Sequence, residues 1–367
     1  MRRLAAALTA IVCCTAGAGA IDNTALTPAD CDAPSQASPV CAASRAWNAA
    51  DAEAALGPHA LIVVSEGDTL SVLVRQSEGP VSACCTISAP MVRIAGSDLW
   101  TLSFKLYRPD RAVLDIGPTA SGANAVVYYG AHVPQLPITS RLLGTLVDDT
   151  LDSGMVDGPR RLTVYLPPSY DKSRRYPVVY LADGQALRAL APGIEAQIVV
   201  GRARPLIVVG LWAAPRLAAA QGREYLLGTP EYNRHNAFVF SQAMAFVERK
   251  YGASARPEDR MLAGFSGGGA WALSAGIAHA KEVGNIAAFS LDWRPALYDI
   301  EASDRPRLYL AAGFLEPQSD GLTAEAASRA RAAPAPLLFE EFASGHALIA
   351  WRTMLLDALA WSFPRQG

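Results

Sequence analysis

The run Arg260-Met261-Leu262-Ala263-Gly264-Phe265-Ser266-Gly267-Gly268-Gly269-Ala270-Trp271 sets an apolar strand directly against a glycine-flanked serine, and a helical segment follows at once. Few backbone paths accommodate that order. A chain that turns from strand to helix at a single residue strains that residue, exposes its side chain, and leaves no room for a Cβ two positions before or after it. Gly264 and Gly268 stand at those two positions. The pattern is that of a nucleophile elbow, with Ser266 as the exposed hydroxyl. A glycine-rich loop that merely turns the chain would carry the same glycines; a phosphate-cradling loop would need a lysine that is missing.

From Arg141 onward, candidate strands alternate with helical stretches: Leu162 to Leu166, Val178 to Leu181, Leu206 to Leu211, Met261 to Phe265, Ala287 to Leu291, Leu308 to Ala312 and Leu337 to Phe342. Such alternation builds a doubly wound, mostly parallel sheet covered on both faces. Asn236 to Tyr251 is the clearest intervening helix, with Phe238, Val239, Met244, Phe246 and Val247 able to share a face, and Leu348 to Phe363 closes the sheet. Ala60 to Ile116 reads differently, as short alternating β-branched runs such as Leu70 to Val74 and Leu99 to Leu106, which suit a small all-β sandwich. Gly117, Pro118, Gly122, Gly130, Pro134 and Pro137 then interrupt the pattern. The expected division is an N-terminal segment over 21–58, a sandwich over 59–117, a linker over 118–140 and an α/β domain over 141–367.

Residues 1–20 follow the plan of a cleavable secretory signal: Met1-Arg2-Arg3, an apolar run from Leu4 to Val12, then Ala18-Gly19-Ala20. The apolar run is too short to span a bilayer, so no stable membrane span is expected. The expected location is periplasmic or secreted. Beyond that segment stand Cys31, Cys41, Cys84 and Cys85, and an oxidising compartment makes disulfides the first expectation. Cys31 with Cys41 closes a short loop, while three connectivities stay open. No histidine sits near them at ligand spacing, so no metal site is expected there, and chemistry at a serine calls for neither a metal nor an organic cofactor. The formal net charge is -2 and Lys and Arg gather into no stripe, which argues against nucleic acid and for a small-molecule partner.

A serine hydroxyl needs a base within reach. Of the 5 histidines, His346 in Ser344-Gly345-His346-Ala347 follows the last candidate strand, and in the α/β-hydrolase chain order the histidine comes last. His59, His132, His235 and His279 are more simply surface or capping residues. The acid that orients the base belongs on a loop between the serine and the histidine. Glu316, just past the strand Leu308 to Ala312, fits best; Asp320 and Asp292 compete with it. The oxyanion needs two backbone N–H donors. Gly267 supplies one, and Gln185 or Gly184, in the turn after Val178-Val179-Tyr180-Leu181, supplies the other.

Arg161-Leu162-Thr163-Val164-Tyr165-Leu166-Pro167-Pro168-Ser169-Tyr170, Tyr176-Pro177-Val178-Val179-Tyr180-Leu181-Ala182-Asp183-Gly184-Gln185 and Gly264-Phe265-Ser266-Gly267-Gly268 together resemble the esterase D-like esterases, most closely their enterochelin (enterobactin) esterase branch. The resemblance spans about Leu143 to Phe363. Met91 to Trp100 also looks like the immunoglobulin-like domain that precedes the catalytic domain in those enzymes, and Arg223-Glu224-Tyr225 echoes their arginine-containing element. The resemblance implies ester hydrolysis through an acyl-serine, on the trilactone of a catecholate siderophore or on an aryl ester. Arg223 would face an anionic or catecholate group of the substrate, or else form a salt bridge with Glu224 or another carboxylate. The alternatives are an acyltransferase or a feruloyl or carbohydrate esterase of the same fold, and a non-catalytic binding protein with a vestigial hydrolase domain.

Overall fold

A computed structural model of the chain describes residues 26–118, 125–135, 141–152, 154–156, 158–214, 222–294, 306–332 and 335–365. The expected secretory signal lies outside the described residues. The chain forms two compact units, one made of the residues up to Pro134 together with Phe342–Ala350, the other of Gln135–Glu341 and the residues from Trp351.

The first unit is built on two antiparallel sheets. One holds β1 (Val40–Ala42), β2 (Leu61–Glu66), β3 (Thr69–Arg75), β6 (Val92–Arg93) and β7 (Leu99–Leu106); the other holds β4 (Ser82–Cys85), β5 (Ala89–Pro90), β8 (Val113–Pro118) and β9 (Val126–Tyr129). Leu70, Val72 and Val74 share one face of β3 and Leu73 points to the other, yet all four are buried, because helix α1 (Ala49–Leu56) lays Ala52 and Leu56 over Leu73. The all-β region therefore reaches beyond the 59–117 expected from sequence. β1 is three residues long and β9 four, too short for alternation to register, and their pairing with β7 and β8 decides them. Cys31 and Cys41 form a disulfide with Cα atoms 5.3 Å apart. Cys84 and Cys85 are free thiols: neighbours in an extended strand cannot close a bond without leaving that geometry.

The second unit carries an eight-stranded sheet: β10 (Thr145–Leu151), β11 (Arg160–Leu166), β12 (Val178–Leu181), β13 (Ile207–Leu211), β14 (Arg260–Phe265), β15 (Asn285–Phe289), β16 (Arg307–Gly313) and β17 (Leu337–Phe342), in the order β10-β11-β13-β12-β14-β15-β16-β17. β11 pairs antiparallel with β10 and with β13, and the strands from β13 through β16 are parallel. The seven strands expected from sequence lie within two residues of their observed ends. β10 was not among them, since at the sheet edge its residues are half-buried or exposed and two aspartates interrupt it. Among the described residues, no helix is long and apolar enough to cross a membrane.

Helices α2 (Leu187–Val199), α3 (Pro230–Phe238), α4 (Met244–Tyr251), α5 (Gly267–Ala278) and α6 (Pro317–Ala330), with α7 (Leu348–Ser362) from Trp351 onward, complete the unit. α5 is buried from Gly267 to Ile277, as a helix apolar on all sides must be, and it feeds two core clusters, Trp271 in one and Leu273 in the other. Its small residues allow that: a Cβ on Gly276 would come within 2.6 Å of Ile286 Cγ1. The helix expected over Asn236 to Tyr251 is α3 and α4 joined by a π-turn at Val239–Ala243. The extra residue of that turn keeps Phe238, Val239, Met244 and Val247 all buried.

Gly321, within α6, has a helical backbone and open space where a Cβ would stand. Gly321→Ala is accordingly expected to stabilise the protein by about 0.5–1 kcal/mol through loss of unfolded-chain entropy. Urea unfolding checks it, and a lower midpoint would contradict the packing described.

Candidate active site

Backbone strain collects at one edge of the second unit. Among the described residues, Asp183, Ser266 and Ser290, with φ of 54°, 55° and 49°, follow the C-terminal ends of the neighbouring strands β12, β14 and β15. Ligands of open α/β sheets bind at this edge, and strain of about 1–3 kcal/mol per residue persists where the surrounding structure enforces it.

Ser266 is the junction of β14 and α5. Its N–H donates to the Phe289 carbonyl at 2.9 Å, its carbonyl accepts from Gly269 and Ala270, and its side chain makes no capping hydrogen bond. The neighbouring glycines are obligatory. A Cβ on Gly264 would overlap the Gly268 carbonyl and come within 2.9 Å of Gly269 N, one on Gly268 would come within 2.7 Å of Ala182 Cβ, and one on Gly267 within 2.6 Å of the Trp293 ring. Gly267 opens α5, so its N–H has no acceptor within the helix and points out of the positive helix end beside Ser266.

The turn after β12 follows suit. Gly184 lies flat against β13, where a Cβ would overlap the Gly210 carbonyl and approach Leu211 N to 2.6 Å. Gln185 is exposed, and its side chain donates to Asp183 Oδ1 at 3.4 Å and accepts from Ala213 N–H at 3.4 Å. Burial, together with nearby Glu224, pushes the Asp183 carboxyl up to about 7, against the hydrogen bonds it accepts from Gln185 and Tyr225.

Glu316 is buried just past β16, at the start of α6, and its Oε1 accepts from Ser290 Oγ at 2.6 Å and Gly313 N–H at 2.8 Å. Ser290 Oγ in turn accepts from Trp351 Nε1 at 2.9 Å, and Trp351 stacks on Phe265 with ring centroids 4.3 Å apart. Sequence reasoning missed both Ser290 and Trp351: an isolated serine after a strand gives no signal until its partners are known. Asp320 is one turn further along α6, half-buried, and burial with Glu341 and Glu316 nearby raises its carboxyl to about 6. Asp292 is half-buried beyond β15.

His346 lies half-buried on the segment Phe342–Ala350, which belongs to the first unit, not to a domain running unbroken over 141–367. Backbone pairing explains this. Ala343 N–H donates to the Arg111 carbonyl at 3.2 Å and its carbonyl accepts from Val113 N–H at 3.0 Å, while a Cβ on Gly345 would meet Thr86 Cγ2 at 3.3 Å. Ser266, Gly267, Gly184, Gln185, Glu316 and Arg223 belong to the second unit.

Arg223 pairs with Glu231, Nε to Oε2 at 3.2 Å, and remains half-exposed. Glu224, the neighbour weighed as its partner, instead pairs with buried Arg160 at 2.7 Å and accepts from Ala214 N–H at 2.7 Å. His235 is also no surface or capping residue: it is 1% exposed, packed edge-on against Tyr225 and Trp271. Burial pushes its imidazole from 6.5 down to about 4, with Glu224 pulling upward and Arg160 downward. Between those two values the unfolded chain binds a proton that the native state refuses, so this residue costs stability as pH falls from 7 to 5, on the order of 2 kcal/mol at pH 5. His235→Phe keeps the ring and should lose correspondingly less stability over that range in urea titrations. Asp183 and Asp320, both raised, act with the opposite sign in either protein, so the difference isolates His235; parallel pH profiles would refute it.

A family model described as "Putative esterase" matches residues 153–362, more than half of the chain. The chain belongs to this esterase family. No curated protein matches it in sequence. Among solved structures, an enterobactin esterase from Shigella flexneri in the presence of enterobactin matches with a TM-score of 0.65 at 16% identity, covering 83% of this chain and 96% of its own. Ferric enterobactin esterase from Salmonella typhimurium gives 0.66 at 16% identity, over 83% and 96% of the two chains. A ferulic acid esterase covers 60% of this chain and 98% of its own, with a TM-score of 0.52 at 20% identity. The shared fold is that of the α/β-hydrolases, here with two antiparallel β-sheets formed by the residues that precede the matched esterase region.

Proposed function

We propose that this esterase is an exported serine hydrolase that cleaves carboxylic esters through an acyl-serine intermediate. The observation that carries the reading is Ser266 itself: a non-glycine residue at φ 55° between a buried strand and a buried helix, its hydroxyl uncommitted to capping. In this reading Ser266 Oγ attacks the ester carbonyl while His346 takes its proton. Glu316 orients His346, a role suited by its burial and by the two donors that fix its carboxyl group. Gly267 N–H and that of Gln185 or Gly184 receive the oxyanion. His346 then protonates the leaving alcohol, and water repeats the cycle to free the acid.

The proposed substrate is a small carboxylic ester, the trilactone of a catecholate siderophore or else an aryl ester, and Arg223 is the proposed contact for a catecholate or anionic group. Export follows from the secretory plan of residues 1–20 and suits the Cys31–Cys41 disulfide.

The test is mass spectrometry of the purified protein after treatment with a fluorophosphonate probe, with turnover of p-nitrophenyl butyrate, ethyl ferulate and a catecholate trilactone measured in parallel. Label on Ser266 that disappears in Ser266→Ala and drops sharply in His346→Ala is the expected result. A folded wild-type protein that takes no label and turns over none of the three esters would overturn the reading.

A further inference from the structure

The turn that offers the second oxyanion donor is held by a residue from a distant part of the chain. Asp183 opens this turn in a left-handed conformation, φ 54° and ψ 49°, and makes no side-chain capping bond to the turn that follows. Its main-chain N–H donates to Tyr225 Oη at 3.1 Å, and Tyr225 Oη lies 3.4 Å from Asp183 Oδ1, to which it donates. One hydroxyl thus engages both the backbone and the side chain of the residue that sets the direction of Gly184 and Gln185.

Tyr225 is itself braced. It is 5% exposed, its ring tilts on Trp271 of α5 with centroids 6.0 Å apart and meets His235 edge-on at 5.6 Å. Its neighbour Glu224 ties the same short turn to Ala214 N–H beyond β13 and to Arg160 on β11. The turn Arg223–Tyr225 therefore clamps the chain beyond β12 and beyond β13 at once. Asp183 also faces the elbow: its Oδ2 stands 3.0 Å from where a Cβ on Gly268 would be.

We propose that Tyr225 is the positioning residue of the oxyanion turn, its hydroxyl locking Asp183 so that the Gly184 and Gln185 N–H groups point where the transition-state oxyanion forms. The proposal rests on the serine hydrolase reading. Without the hydroxyl, the left-handed residue loses its anchor and the donors wander, a loss felt where charge develops and hardly at all in substrate binding. A donor displaced from an oxyanion hole costs about 10²–10³ in kcat when removed outright, and a loosened one less.

The experiment compares wild type with Tyr225→Phe, Asp183→Ala and Asp183→Asn on p-nitrophenyl butyrate, together with inhibition by an alkyl boronic acid that forms a tetrahedral adduct on the serine. Tyr225→Phe and Asp183→Ala are expected to lose roughly 10–100-fold in kcat with KM within about threefold, and to lose boronate affinity in step with kcat/KM. Asp183→Asn, which keeps the Oδ1 acceptor, should stay within a few-fold of wild type. If Tyr225→Phe fails to fold, the contrast between the two Asp183 variants still decides. Tyr225→Phe or Asp183→Ala with a lower melting temperature but unchanged kcat would make the contact purely structural and overturn the proposal, while leaving Ser266 labelling untouched. Loss of Ser266 labelling in wild type would instead remove the underlying reading, and this one with it.

Discussion

Ser266→Ala is expected to reduce ester turnover by about 10⁴–10⁶-fold while the protein stays folded, because in the proposed mechanism serine, base and acid act as a unit and removal of the nucleophile forfeits nearly all of what that unit supplies. The fold should tolerate the change. Ser266 makes no capping hydrogen bond through its side chain, so alanine removes a hydroxyl that the helix does not use. The stability measurement carries a second signature. Ser266 holds φ 55°, where a Cβ is strained and glycine is not, so Ser266→Gly should be more stable than Ser266→Ala by about 1 kcal/mol. Denaturant unfolding of the two variants checks this beside the kinetics. Retained turnover in Ser266→Ala would move the chemistry to another residue; equal stability of the two variants would deny the strain at the elbow.

The second large effect is structural. Gly184→Ala places a methyl group where the Gly210 carbonyl already stands and within 2.6 Å of Leu211 N, so backbone would have to yield rather than a flexible side chain. β12 and β13 are neighbouring parallel strands in the middle of the sheet, with Val178, Val179, Tyr180, Leu181 and Ile207 to Val209 buried on both faces. Overpacking at such a place costs about 3 kcal/mol. Gly184→Ala should therefore lower the urea midpoint markedly, and under the proposed mechanism the fraction that remains folded should turn over ester poorly because the turn carrying Gly184 and Gln185 has moved off β13. Gly321→Ala, with nothing near its Cβ, is the matched control. A Gly184→Ala protein as stable and active as wild type would show that the turn does not depend on this close approach.

Much of the second unit was legible because its signals are local. A strand buried on both faces must be a continuous apolar run, and Val178 to Leu181, Met261 to Phe265 and Leu308 to Ala312 are such runs, so their burial is written residue by residue. The elbow was legible for the same reason: Gly264, Ser266 and Gly268 meet a steric demand imposed by a turn five residues long. The place of Glu316, on the loop after β16, was legible in the sequence, whereas the choice between it and Asp320 or Asp292 as orienting acid was not.

Other features had no local signal. β1, β9 and β10 are short or half-exposed, and pairing with β7, β8 and β11 makes them strands. The environments of Asp183, Glu224 and His235 depend on Tyr225, Arg160 and Trp271, which lie 42, 64 and 36 residues away in the chain; a charged or polar letter reads as surface until a buried partner is supplied.

By itself, then, the amino-acid sequence determined the order of the sheet-forming runs and the strained serine at the end of one of them, since each rests on sterics or spacing within a few residues, while the choice of Cys31 with Cys41 among the three possible pairings fell to the structure. Only the tertiary structure decided that Ser290 and Gly313 hold Glu316, that Tyr225 holds Asp183, and that the segment carrying His346 pairs with Arg111 and Val113 of the first unit. Those choices are made by hydrogen bonds that buried polar groups must find wherever the fold provides them, and no local pattern can announce a partner that distant.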